Sequence, residues 1–88
     1  MDKTQRIIIF NIMAMHKVWE IVPKKTRQIN GESLSPAMRV VVTTKNYTNN
    51  PFNSGSIEDI IETYKRIYNF DYKKCGCMPL DFDFYPLD

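Results

Sequence analysis

The segment Ser56-Ile57-Glu58-Asp59-Ile60-Ile61-Glu62-Thr63-Tyr64-Lys65-Arg66-Ile67-Tyr68-Asn69 reads as an amphipathic helix of roughly three to four turns. Ile57, Ile60, Ile61, Tyr64, Ile67 and Tyr68 recur at helical spacing and form one apolar stripe. Ser56 stands at the N-cap position with an acid, Asp59, three residues on, which suits a capping box. Glu58 and Asp59 lie at the positive end of the helix dipole, Lys65 and Arg66 at the negative end. Glu62 and Arg66 form an i,i+4 pair in the favoured order. A stripe this wide needs a sheet or another helix to cover, so the flanking sequence must supply one.

Strands are predicted on both sides of it. Downstream, Phe70–Lys74 is a connector or a short helical turn, and Gly76 breaks it. Pro79 then introduces Leu80-Asp81-Phe82-Asp83-Phe84, a period-two alternation with the apolar residues inward and the aspartates in water. Upstream, Asn46–Gly55 holds four asparagines, a proline and a glycine, and reads as a loop. Met38–Thr44 is a β-branched strand, and so is the run that ends at Pro23, with Lys17, Trp19 and Ile21 on one face and Val18, Glu20 and Val22 on the other. Asn30-Gly31 is a strong turn signal that joins these two strands as a hairpin, extended inward by Thr26–Ile29 and Ser33–Leu34. The fold class is therefore α+β: a small antiparallel sheet of three to four strands with one amphipathic helix packed on one face.

Eighty-eight residues make a single domain, 1–88, in which 1–14 is an N-terminal extension or an extra strand. Met13 and Met15 are alternative starts to Met1. The chain is 43% apolar and 12% aromatic, which is enough for a core and too much for a disordered tail. No apolar run exceeds four residues, the length of Ile7–Phe10, which is far too short to cross a membrane as a helix. No signal peptide is legible, and Cys75 and Cys77, separated by one glycine, make no disulfide framework. A reducing cytoplasm is the expected location.

Twelve basic residues against ten acidic give a net charge of +2, which argues against an acidic DNA mimic and against a histone-like chain. The total hides an asymmetry. Residues 1–50 carry eight basic and three acidic side chains; residues 51–88 carry four and seven. Such runs are usually solvated faces, and the sharper alternative is a basic surface for an acidic partner.

Catalytic signals are thin. His16 is the only histidine, and no neighbour in sequence supplies a nucleophile or an orienting group. Asp81 and Asp83 have the spacing of strand solvation rather than of an acid–base pair. Cys75, Cys77 and His16 leave a zinc site one ligand short unless a second copy completes it. Gly31, Gly55 and Gly76 are too scattered for a phosphate loop. The expectation is a protein without enzymatic activity, catalytic residues, metal or cofactor.

Binding signals are better. Lys24, Lys25 and Arg27 cluster after the first strand, Arg39 and Lys45 lie on or beside the second, and Tyr47 and Phe52 follow as exposed anchors. Cations with interleaved aromatics suit RNA or single-stranded DNA, and equally a protein hot spot. Trp19 is a further candidate for a stacking or anchoring ring; the plainer reading puts Trp19 in the core and leaves the lysines to keep a loop soluble.

Three motifs carry a resemblance: Ser35-Pro36-Ala37-Met38-Arg39-Val40-Val41-Val42, then Asn50-Pro51-Phe52, then Ile61-Glu62 and Tyr64 through Tyr68-Asn69-Phe70-Asp71. Over about 40 residues they resemble small uncharacterised domains of bacterial phages and mobile elements, of the anti-CRISPR inhibitor type. The resemblance implies a non-enzymatic inhibitor that docks on a bacterial defence nuclease or its guide RNA in the host cytoplasm. It transfers no individual functional residue. The alternatives are a small RNA- or ssDNA-binding domain using the basic hairpin, an oligomer that sequesters an anionic nucleotide signal, and a structural module of a phage particle.

Overall fold

The computed structural model describes residues 15–88. The expected extra strand within residues 1–14 lies outside them. Strands β1 (His16–Pro23), β4 (Val40–Thr48) and β5 (Phe82–Pro86) form an antiparallel sheet in the order β4-β1-β5. β2 (Arg27–Ile29) and β3 (Glu32–Leu34) form a separate two-stranded hairpin between β1 and β4. Helix α1 (Ile57–Tyr68) packs against β4, and a 3-10 turn (Pro79–Asp81) leads into β5. The α+β architecture follows the hydrophobic periodicity.

Alternation along β1 sorts the sheet faces as its sequence implies. Trp19, Ile21 and Pro23 are buried, while Val18, Glu20 and Val22 on the opposite face are half-buried. Register brings Val42 and Val40 opposite Trp19 and Ile21 on one side, and Phe84 and Phe82 opposite Ile21 and Pro23 on the other. Phe82 sits at the centre of an aromatic cluster, with the Tyr64, Tyr72 and Phe52 rings at 5.6, 5.7 and 5.6 Å.

The two edges of the sheet are closed by different means. Just before β4 the Tyr64 hydroxyl donates to the Met38 carbonyl at 2.9 Å and the Tyr68 hydroxyl to the Arg39 carbonyl at 3.1 Å. At the other end of that strand the Lys45 amide donates to the Asp59 carboxylate at 3.2 Å. The helix thus occupies hydrogen-bonding groups at the edge as well as covering apolar surface. On β5, Pro86 has no amide to offer, and the Phe82 amide is taken by the Pro79 carbonyl.

Four local expectations are corrected. Ser56 sits at the N-cap but makes no side-chain capping bond; its backbone is already helical, at φ −108° and ψ −29°, because turns from Asn53 lead straight into the helix. The Asp59 carboxylate, free of that box, caps Lys45 instead. The apolar stripe is narrower than its sequence: Ile60 and Tyr64 are buried, Ile57 and Ile61 pack at the margin, and Ile67 and Tyr68 are exposed. Asn46–Thr48 continues β4, where Lys17 alone faces Thr44–Tyr47 in an irregular register, so the loop starts only at Asn49. Finally, the strand expected over Leu80–Phe84 begins at Phe82. Pro79 at the first helical position favours the 3-10 turn, which turns Leu80 outward to 77% exposure.

Candidate binding site

β1 ends at the buried Pro23, and the chain leaves the sheet through Lys24 and Lys25, both exposed. The Lys24 amide donates to the Asp81 carbonyl at 2.9 Å, so this exit lies against the 3-10 turn. Two residues later Arg27 opens β2. The hairpin reverses at Asn30 (φ 53°) and Gly31 (φ 78°), two positive values in succession, as a tight primed turn requires. β3 returns with Leu34 buried.

The hairpin is pinned at three points to the segment that joins α1 to β5. Arg27 donates through Nη1 to Asp81 Oδ2 at 3.1 Å and through Nη2 to the Gly76 carbonyl at 3.2 Å. The Asn30 side-chain amide donates to the Lys74 carbonyl at 2.9 Å. Glu32 Oε1 accepts the Asp71 amide at 2.7 Å. Asp81 Oδ2 also accepts the Met78 amide at 2.7 Å, which fixes the turn that displays Leu80.

Between the pinned hairpin and the turn lies a cleft of about 640 Å³, lined by Lys24, Lys25, Arg27, Leu34, Leu80 and Asp81 among others. A smaller hollow of about 350 Å³ lies alongside, lined in part by Lys24, Leu80, Phe84 and Tyr85. Lys24 and Leu80 belong to both, so they form the ridge between them.

The seven residues expected to bind do not make one patch. Lys24, Lys25 and Arg27 come together at the cleft. Arg39 is ion-paired with Glu20 across β4 and β1 at 2.7 Å. Lys45 and Tyr47 lie near the far end of β4, where Tyr47 is 63% exposed and the Lys17 ammonium stands 5.8 Å from its ring centre. Phe52 is in the core, packed on Phe82 and Phe84, and offers no exposed anchor. Arg27 is tied into the clasp with Asp81, and Lys24 approaches Asp83 at 3.9 Å with both side chains more than two-fifths exposed. Lys25 makes no ion pair among the described residues. Leu80 is the site residue that sequence reading missed; the signal available was Pro79 directly before it.

The other chemical candidates are accounted for structurally. His16 Nδ1 is 2.8 Å from the Asp88 carbonyl oxygen, and its ring packs edge-on to Trp19. Cys75 and Cys77 are free thiols, the first fully buried. Burial pushes the Cys77 thiol up to about 12, with Cys75 and Asp81 adding to the shift and Arg27 opposing it. Among the described residues no three His, Cys, Asp or Glu side chains gather as metal ligands, and no helix is long and apolar enough to cross a membrane.

Residues 13–84 match a family of unknown function, DUF6140. The chain belongs to that family. No curated protein and no solved structure shows significant similarity to it. The DUF6140 match takes in all of β1–β4 and α1, the clasp of Arg27 with Asp81, and Leu80, so the whole cleft lies within the shared region.

Proposed function

We propose that this DUF6140 protein acts by binding rather than by catalysis, and that its contact surface is the cleft between the hairpin and the 3-10 turn. The observation that carries the reading is Leu80, a large apolar side chain 77% exposed on a ridge between two concavities, with Lys24 and Lys25 beside it. A turn held by backbone and carboxylate bonds pushes this leucine into water, where it gains nothing for the isolated fold. In its specific form the proposal follows the sequence resemblance: the partner is a bacterial defence nuclease or its guide-RNA complex, and occupancy blocks the nuclease. Inhibition of guide-loaded CRISPR nucleases in a cleavage assay tests that form. Inhibition is expected for the natural chain and lost in the Lys24→Glu, Lys25→Glu double variant. A panel of such nucleases cleaving at full rate with the protein in excess would overturn it.

A second reading rests on a different place. Lys17, Lys45 and Tyr47 lie near the end of the sheet remote from Lys24 and Lys25, as a small cationic surface with one exposed ring, which suits a single-stranded nucleic acid. Gel-shift titration of a labelled oligonucleotide against Tyr47→Ala tests it. Binding that weakens steeply with salt and depends on Tyr47 supports this reading; a shift unchanged in Tyr47→Ala removes it.

A further inference from the structure

The geometry points to a protein segment bearing acidic and apolar side chains as the occupant of the cleft, with Leu80 as its anchor. This rests on the binding reading above and specifies the partner. Three observations separate such a segment from a nucleic acid. First, the local charge is small. Arg27 is neutralised by Asp81 and Lys24 is partly offset by Asp83, which leaves Lys25 as the lysine without an ion pair among the described residues. A polyphosphate backbone draws its affinity from many cationic contacts and would find few here, whereas one or two carboxylates suffice to engage Lys24 and Lys25.

Second, the cleft itself offers no aromatic platform. Its apolar lining is aliphatic, Leu34 at the wall and Leu80 at the rim, so a base seated in it would have no ring to stack on; the rings of Phe84 and Tyr85 line the adjoining hollow instead. Aliphatic or aromatic side chains from a peptide would bury Leu80 and reach Phe84 and Tyr85 in the adjoining hollow. Third, the site is rigid where it matters. Arg27, Asn30 and Glu32 hold the hairpin to the α1–β5 connection, so binding need not spend free energy ordering the surface.

The experiment is selection of a displayed random-peptide library on the immobilised protein. Enriched peptides are resynthesised with a fluorescein label and titrated by polarisation, and a labelled oligo-uridine is titrated in parallel. The expected pool is acidic and rich in leucine or aromatic residues. Its affinity should fall by about tenfold or more in Leu80→Asp and in Lys24→Glu, Lys25→Glu, as for a central anchor and its charged rim. It should fall only slightly when salt rises from about 50 to 200 mM. An enriched pool that is basic, or that binds Leu80→Asp undiminished, overturns the inference. So does failure to enrich any peptide. If oligo-uridine binds while peptides do not, and the lysine double variant abolishes that binding, the cleft is still a binding site and only the partner class is wrong. If neither probe is held, the cleft reading falls with it. A circular-dichroism melt of each variant confirms that losses are not unfolding.

Discussion

Arg27 and Asp81 lie 54 positions apart in the chain, and their side chains meet at 3.1 Å. Because Asp81 also fixes the turn beneath Leu80 and Arg27 also reaches Gly76, this one contact joins the hairpin, the α1–β5 connection and the entry to β5. Both side chains are about one-third exposed, so water screens the pair and its value is that of a charged hydrogen bond discounted for solvent. Arg27→Met should lower stability by about 1–2 kcal/mol in urea unfolding, and Arg27→Lys should recover little, because a lysine cannot reach both acceptors. In a double-mutant cycle with Asp81→Asn the two losses should overlap. Strictly additive losses would mean that the pair is not coupled.

Gly31 tests the hairpin without touching any packing. An added Cβ would meet nothing within 4 Å, yet φ is +78°. Gly31→Ala should therefore cost about 1–2 kcal/mol from backbone conformation alone. Asn30→Gly, at φ 53°, should be tolerated as regards the backbone but lose the bond to the Lys74 carbonyl. A Gly31→Ala variant as stable as the natural chain would show that the turn is not held in this form.

Elements defined by neighbours in sequence were legible; those defined by distant partners were not. The helix ending near Asn69, the Asn30-Gly31 reversal and the two faces of β1 follow from local periodicity and turn chemistry. Asn69 does stop α1, in the left-handed conformation at φ 52° with its amide returned to the Lys65 carbonyl. The width of the helix's buried stripe was not legible, because its exposed end, at Ile67 and Tyr68, depends on where β4 begins beside it. Nor was the role of Asp81. Alternation assigns it to water, and only folding brings Arg27 to it. Leu80 shares that alternation and is displaced by the turn Pro79 begins. The basic cluster was half legible: Lys24, Lys25 and Arg27 do converge, while register carries Lys45 and Tyr47 to the other end of the sheet.

Three isoleucines on α1 should grade the stripe. Ile60 is fully buried, Ile61 packs at the margin of the core, and Ile67 is 49% exposed. Ile60→Ala should cost about 3–4 kcal/mol, Ile61→Ala roughly half of that, and Ile67→Ala about 0.5 kcal/mol or less by thermal or urea unfolding. Equal losses at Ile60 and Ile67 would mean that the exposed end of the stripe is covered in solution.

Alkaline unfolding should expose the buried acids. Burial holds Tyr64 and Tyr72 protonated, lifting Tyr72 to about 12 and Tyr64 further, with charge at Tyr68 and Cys77 adding to the shift for Tyr64 and charge at Cys77 and Asp81 for Tyr72. Cys77 is raised from 9.0 to about 12 by the same burial. All three folded values exceed the unfolded ones, so the unfolded chain releases these protons first as pH rises. Stability is thus independent of these groups below about pH 9, begins to fall there through Cys77, and steepens above about pH 10 as the tyrosines join. Each group adds a slope of up to about 1.4 kcal/mol per pH unit within its window. Cys77→Ala should remove the decline between about pH 9 and 10 and make it shallower from there to about pH 12. Tyr72→Phe should flatten the curve above about pH 10. It should also raise stability at neutral pH, since the buried Tyr72 hydroxyl has no hydrogen-bond partner among the described residues. Urea midpoints measured across this range decide it. A Tyr72→Phe variant less stable at neutral pH would show that the hydroxyl is bonded after all.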